Sequence, residues 1–240
     1  MAHTLLINFR NKCINNPSTY FRECLVMNML KKSLIATALL ASVPVSQSAF
    51  ADNNTISANV ALTSNYIFRG VTQNNEDPAL QGGFDYEHDS GFYVGVWGSN
   101  VDFGGDSTTE LDLYGGWGFD VGSDVSLDFG FLAFTFFGGD DASDDNVEEA
   151  FAGISLYGFD LYYYVGFDEW PDTAELSYGF DISSKVAVSL TIGDTDASGG
   201  TYGSAGISGP LFGGIDWDVT IADAEINDDV QVAFTISKSF

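Results

Sequence analysis

Val230-Gln-Val-Ala-Phe-Thr-Ile-Ser-Lys-Ser-Phe240 closes the chain, and its reading decides the fold. In an extended strand, Val230, Val232, Phe234, Ile236 and Phe240 share one face, and Gln231, Ala233, Thr235, Ser237 and Ser239 share the other. The last residue is aromatic. A strand that seals a membrane barrel has this form, because its apolar face meets lipid and its end meets the interfacial aromatic girdle. Lys238 falls on the apolar face, so it belongs at a membrane interface, where its ammonium reaches the headgroups. That places it at the periplasmic rim. Phe234, Ile236 and Phe240 are the expected assembly signal for barrel-assembly machinery.

The other end of the chain carries an export pattern. Lys31 and Lys32 precede an uncharged, mostly apolar run over 34–45, and small residues then lead to Ala49-Phe50-Ala51. This is the order of a secretory signal peptide, and the run is shorter than the roughly twenty residues of a membrane helix. Translation is expected to start at Met27 or Met29, with 1–26 an upstream extension, cleavage after Ala51, and a single domain over 52–240. Cys13 and Cys24 both precede that cleavage site, so the domain has neither a disulfide scaffold nor a cysteine-ligated metal. No cofactor is expected. Only Arg69, Lys185 and Lys238 of the eight basic residues follow residue 51. All of the 34 acids but Glu23 do, which leaves 3 positive against 33 negative charges and a net charge of −30. Such a chain repels nucleic acid.

Turn signals divide 52–240 into twelve predicted strands: 56–69, 79–88, 91–103, 108–121, 125–137, 147–157, 159–168, 173–183, 185–194, 201–209, 215–224 and 229–240. The odd-numbered connections are longer and polar, and the even ones are mostly tight, with 210–214 the exception. Long external loops, short periplasmic turns and an even strand number define an all-β, membrane-spanning, antiparallel up-and-down barrel in the outer membrane of a Gram-negative bacterium. Within strands, Leu161, Tyr163, Val165 and Phe167 oppose Asp160, Tyr162, Tyr164 and Asp168. Similarly, Ile215, Trp217, Val219 and Ile221 oppose Asp216, Asp218 and Thr220. A soluble, secreted acidic β-sandwich would alternate in the same way with its apolar face inward, and it stands as the less favoured fold. The stretch 125–137 departs from the pattern: Phe129, Phe131, Leu132, Phe134, Phe136 and Phe137 occupy both faces, so that part of the wall is expected to be apolar inside as well.

Two stretches carry a family likeness. Ala58-Asn-Val-Ala-Leu-Thr-Ser-Asn-Tyr-Ile-Phe-Arg-Gly-Val-Thr-Gln73 continues through Pro78, Gln81-Gly-Gly83 and Ser90-Gly-Phe-Tyr-Val-Gly-Val-Trp-Gly-Ser-Asn-Val-Asp-Phe103 to Glu110-Leu-Asp-Leu-Tyr-Gly-Gly116. Ile236-Ser-Lys-Ser-Phe240 ends the chain. Together they resemble the TorF-like, or Gcw_chp, family of proteobacterial outer-membrane proteins. The resemblance implies an outer-membrane barrel and carries no activity.

The facing pattern directs Asp85, Asp112, Asp120, Asp128, Asp160, Glu175, Asp181, Asp216 and Asp218 into the lumen. Arg69 is the lone inward cation, near the outer rim, where it is expected to pair with a carboxylate such as Asp77 or Asp85 and pin the first loop. Carboxylate-lined pores favour cations. Inward Gly83, Gly95, Gly116, Gly118 and Gly166 are expected to leave space, while Tyr114, Tyr162 and Tyr164 are placed to fill it. A narrow, cation-preferring channel for small cationic or neutral solutes is the leading functional expectation. A non-conducting surface or envelope-integrity protein is the alternative. The expected partners are outer-membrane lipid and lipopolysaccharide, with no nucleic acid. No enzyme is expected, because nucleophilic catalysis needs a base and His88 sits at a periplasmic turn. Asp194-Thr-Asp196 resembles the front half of a calcium loop, but Ala205 stands where the bidentate glutamate is needed, so Asp194 and Asp196 form at most a weak external metal site. The acidic run 138–149 reads as a solvated loop.

Overall fold

The structure, a computed structural model, describes residues 54–139, 146–168, 170–195, 200–227 and 229–240. The expected upstream extension, the signal peptide and its Ala51 boundary lie outside the described residues. Twelve strands close into an antiparallel barrel. They are β1 (Asn54–Thr63), β4 (Ala79–His88), β5 (Phe92–Asn100), β6 (Ser107–Val121), β7 (Val125–Gly138), β8 (Val147–Leu156), β9 (Phe159–Gly166), β10 (Thr173–Ser183), β11 (Val186–Thr195), β12 (Gly200–Pro210), β13 (Ile215–Ala224) and β14 (Gln231–Ser239). Two further short strands, β2 (Ile67–Phe68) and β3 (Val71–Thr72), pair only with each other. The predicted first strand, 56–69, is therefore too long: the wall strand ends at Thr63, and the residues after it turn into the lumen.

The barrel closes between the first and last wall strands. Asn59 pairs with Ser239 and Thr63 with Thr235, and Phe240 exchanges backbone hydrogen bonds with Ala58 at 2.8 and 3.2 Å. The terminal aromatic residue is thus the last clasp of the seam. Both ends of the barrel wall lie at the end that carries the tight turns, here the turn end. The opposite, loop end carries the longer connections.

Alternation sorts the two faces of the wall. In β14, Val232, Phe234 and Ile236 are exposed outward, while Gln231, Ala233, Thr235 and Ser237 are buried inward. The same alternation exposes Ile56, Leu80, Phe84, Leu113, Trp117, Phe129, Leu161 and Ile192 around the barrel. Water-soluble proteins seldom expose an apolar patch of more than about 300–600 Å², so this continuous band requires lipid as its solvent. The soluble sandwich is thereby corrected: there is one closed sheet, and its apolar face points out. Lys238 lies on that outer face opposite Val60, its ammonium 5.1 Å from the Phe240 ring.

The apparent irregularity of 125–137 has a simple cause. β7 alternates regularly, with Phe129, Phe131 and Phe137 outward and Leu132, Phe134 and Phe136 buried inward. Its inner face is apolar because it carries a lid of its own chain. Leu132, Phe134 and Phe136 form one core with Trp97 and Ala79 of the wall, Val101 just beyond β5 and Tyr66 of the first loop, and Phe68 packs against it.

Candidate functional site

The site is the lumen and the loop that crosses it. After Thr63 the chain enters the barrel mouth. Phe68-Arg69-Gly70-Val71 makes a tight hairpin whose two central residues are left-handed, φ 46° at Arg69 and 81° at Gly70, as a type I′ turn requires. Glycine is also needed at position 70 for space: a Cβ there would lie 2.7 Å from the Asp223 carbonyl oxygen and 2.9 Å from Tyr202 Cβ. The hairpin touches both sides of the mouth. On one side Tyr66 meets Trp97 edge-on at 5.3 Å and Phe68 meets Phe134 at 5.6 Å. On the other, Asn227 donates to the Gly70 carbonyl at 2.8 Å. Asn65 donates to Gln231 at 3.0 Å and accepts from Thr72 at 2.7 Å, which ties the loop to the last strand. The first loop is a bar across the loop end of the barrel.

Arg69 locks the bar. Its guanidinium donates to both oxygens of Glu149 on β8, at 2.6 and 2.9 Å, and Trp170 Nε1 donates to the same carboxylate at 2.7 Å. Glu149 is fully buried. The guanidinium also lies 4.8 Å from the ring centres of Phe68 and Tyr164, a cation–π arrangement. Burial opposes its charge, but the hydrogen bonds and the charge of Glu149 outweigh that penalty and hold Arg69 above its ordinary pKa. The expected partners, Asp77 and Asp85, are corrected to Glu149. Asp85 lies toward the turn end of β4 and accepts from Tyr114 instead.

The predicted lumen carboxylates fall into two tiers. Toward the turn end lie Asp85, Asp120, Asp128, Asp160, Asp181 and Asp216, of which Asp120 and Asp181 are exposed in the mouth. Nearer the bar lie Asp112, Asp218 and Glu175. Many of these carboxylates accept from a hydroxyl on the same strand, the next strand or the next but one. Tyr93 and Tyr162 converge on Asp128 at 3.0 and 3.1 Å, Tyr202 donates to Glu175 at 2.6 Å, and Ser126 donates to Asp120 at 2.7 Å. Ser155 donates to Asp160, and Thr220 to Asp218 at 2.9 Å. Three inward acids escaped the sequence reading: Glu87 shares the face of Asp85 on β4, and the other two are Glu149 and Glu110. Glu149 was absorbed into the acidic loop run, and Glu110 shares the face of Asp112 two residues away.

The inward glycines do not leave open space. Gly95, Gly116, Gly153 and Gly193 stand directly across from Tyr114, Tyr93, Tyr162 and Tyr202. At each of the four, a Cβ would come within 2.2–2.6 Å of the facing tyrosine. Each glycine lets a ring lie flat against the wall, so the tyrosine covers its neighbour rather than projecting into the bore. The β4–β9 half of the lumen is filled by the rings of Tyr93, Tyr114 and Tyr162 and by the bar. The other half, from β10 to β14 and β1, is lined by small polar and alanine side chains such as Thr63, Ser177, Thr191, Ser204, Ala222 and Thr235, around a cavity of about 150 Å³.

At the expected metal site, Asp194 accepts from Thr201 at 3.1 Å, and Asp196 lies outside the described residues. Among the described residues no group of three acids or histidines is arranged to hold a metal ion. His88 is the last residue of β4, at the turn end, and is bound to Ser90 at 2.8 Å.

A closed, outwardly apolar barrel with a polar, loop-constricted lumen is a porin-like architecture. The chain belongs to the Gcw_chp family, described as a bacterial protein of unknown function, whose model matches residues 47–169. No curated protein matches it in sequence. Among solved structures it resembles a KdgM porin, with 9% identity, a TM-score of 0.57 and 77% of this chain covering 98% of that one. It also resembles a KdgM porin in complex with disordered oligogalacturonate, with 9% identity, a TM-score of 0.56 and 77% of this chain covering 97% of the other. At this identity the likeness is one of fold.

Proposed function

We propose that this protein is an outer-membrane channel that passes small cationic or neutral solutes along the β10–β14 and β1 side of its lumen, beneath a first loop that narrows the entrance. The observation that carries this reading is the charge of the lumen: many carboxylates face inward, and Arg69, the inward cation, is committed to Glu149. A carboxylate-lined passage attracts cations and repels anions. An acidic oligosaccharide such as the one in the KdgM complex would meet repulsion here, so a polyanion is an unsuitable solute. The outward apolar band supports residence in a membrane, and the outward Phe234, Ile236 and Phe240 support a role for the last strand in assembly.

Planar-bilayer recording of the refolded, mature protein in a KCl gradient tests the reading. The expected result is small, discrete conductance with K⁺ preferred over Cl⁻. A chloride preference would refute the selectivity. A folded barrel that inserts without conducting would refute the channel and leave the non-conducting surface protein, for which the loop across the mouth already gives a structural basis.

A further inference from the structure

Beneath the bar, three polar side chains line the cavity without bonding to any other part of the protein. They are Asn59 of β1, Gln81 of β4 and Ser204 of β12. Among the described residues none of the three side chains has a hydrogen-bond partner, and Asn59 Oδ1 is a buried atom. Buried polar groups are nearly always satisfied, so a set left open around one cavity marks the place of a polar occupant. Hydroxyls adjoin this set. Ser204 stands opposite Thr191, whose hydroxyl lies 3.0 Å from that of Ser177. On the β1 side, Thr235 donates to Thr63 at 3.0 Å.

The lining also sets the class of occupant. An amide side chain donates and accepts, and so does a hydroxyl. A metal cation would use only the acceptors and an anion only the donors, whereas a molecule made of hydroxyl groups uses both. Glu175 and Asp218 face the same cavity, where each already accepts from a hydroxyl, Tyr202 at 2.6 Å and Thr220 at 2.9 Å. They can accept from further hydroxyls, and they repel acids. Arg69, the cation of the lining, is committed to Glu149. The roof is the bar, through Asn65, Tyr66 and Phe68, with Trp97 beside Tyr66 as an apolar surface for C–H groups. The volume, about 150 Å³, is about half that of the smallest pockets for drug-sized ligands, roughly 300 Å³. It has room for one ring and not for a chain of them.

We propose that this cavity is a binding site for one neutral polyhydroxyl molecule, the size of a single sugar ring, held between the docked first loop and the wall at Asn59, Gln81 and Ser204. Passage of such a molecule through the barrel rests on the channel reading above, but its binding does not.

Because the bar roofs the site, an occupant holds the loop down, and trypsin cleavage after Arg69 in the refolded full barrel reports it. With glucose as the probe, the cleavage rate should fall by the factor 1 + [glucose]/Kd, about elevenfold at ten times Kd. Cleavage after Lys185, at the turn end, is the internal standard. An equal mass of dextran, too large to enter, controls for general osmolyte stabilisation. Gln81→Leu/Ser204→Ala removes two groups that bond nothing else in the protein and should abolish the protection by glucose. If that double variant does not form a heat-modifiable barrel, Ala222→Trp, which fills the cavity, should do the same. The site is overturned if glucose gives no protection, if dextran protects equally, if the variant is protected like the wild type, or if methylammonium protects and glucose does not. Protection by glucose in a barrel that does not conduct would keep the site and reject the channel. Conductance without protection would reject the site and keep the channel.

Discussion

Removing Glu149 should unlock the first loop, and the chain carries its own reporter for that event. Arg69 is one of only three trypsin sites after residue 51, with Lys185 and Lys238. In the docked loop its side chain is held by Glu149 and sandwiched against Phe68 and Tyr164, so it cannot enter a protease. Glu149→Ala deletes both guanidinium hydrogen bonds and leaves a charge that is 11% exposed without a counter-charge. Breaking a buried pair in this way costs about 3–5 kcal/mol. Loop release relieves that cost, because the guanidinium then reaches water. At about 1.4 kcal/mol per decade, the open population rises by about 10²- to 10⁴-fold. The cation–π contact with Tyr164, which only the docked loop makes, still favours docking in the variant and trims the effect toward the lower figure. When opening is faster than cleavage, the cleavage rate follows the open population. Trypsin digestion of the folded barrel, read by mass spectrometry, should therefore show cleavage after Arg69 accelerated by at least about 10²-fold in the variant, with Lys185 as the internal standard. A variant that still shifts on a heated gel yet is cut after Arg69 within about threefold of the wild-type rate would refute the latch.

Other tests address the wall. Gly193→Ala places a methyl 2.2 Å from Tyr202 Cζ, so the ring must leave and Glu175 loses its 2.6 Å hydrogen bond. This should destabilise the barrel by about 2–4 kcal/mol in urea titrations, whereas Gly203→Ala, with the nearest atom at 3.5 Å, should fall within about 0.5 kcal/mol of wild type. Equal effects would contradict the glycine–tyrosine pairing. Deleting Phe240 removes both seam bonds to Ala58 and should lower the yield of heat-modifiable barrel in outer membranes; unchanged assembly would show that the last clasp is dispensable. Ala222→Trp projects an indole into the cavity that Ala222 lines, and should abolish conductance while leaving the Arg69 cleavage rate unchanged.

The wall was legible from sequence because it is periodic. Three predicted strands, 79–88, 173–183 and 215–224, match the observed bounds, and the seam between the first and last wall strands follows from even strand number alone. The loop was not legible, because its key residues imitate a strand. Ile67, Phe68 and Val71 extend the apolar pattern of 56–69, and only the Arg69-Gly70 pair marks a hairpin. Charge counting showed that Arg69 needs a carboxylate without showing which one. Asp85 is nearer in sequence, but β8 brings Glu149 to the loop end, 80 residues away. The inward glycines misled for a related reason. Alternation gives the face on which a missing side chain leaves a gap, but the register that puts a tyrosine over that gap is set by strand pairing.

The apolar inner face of β7 and the aromatic residues of the first loop form one device. Leu132, Phe134 and Phe136 would otherwise face a wet lumen, and Tyr66 and Phe68 would otherwise face water above it. Fixing one backbone residue costs about 1–2 kcal/mol, of the same order as the roughly 1.5–3 kcal/mol gained by burying one large apolar side chain. The chain between Thr63 and Ala79 supplies far more residues to order than aromatic anchors to bury. The apolar seat therefore fixes where the loop docks, while the polar contacts at its two ends decide whether it stays. Those contacts include the Arg69–Glu149 pair, the Asn65–Gln231 and Asn227–Gly70 bonds, the Gln231–Glu76 bond and the Asp102–Gln73 backbone bond. A loop held in this way can be loosened by one substitution at Glu149 without unfolding the wall, because the ladder of β1 with β14 and β4 runs independently of it.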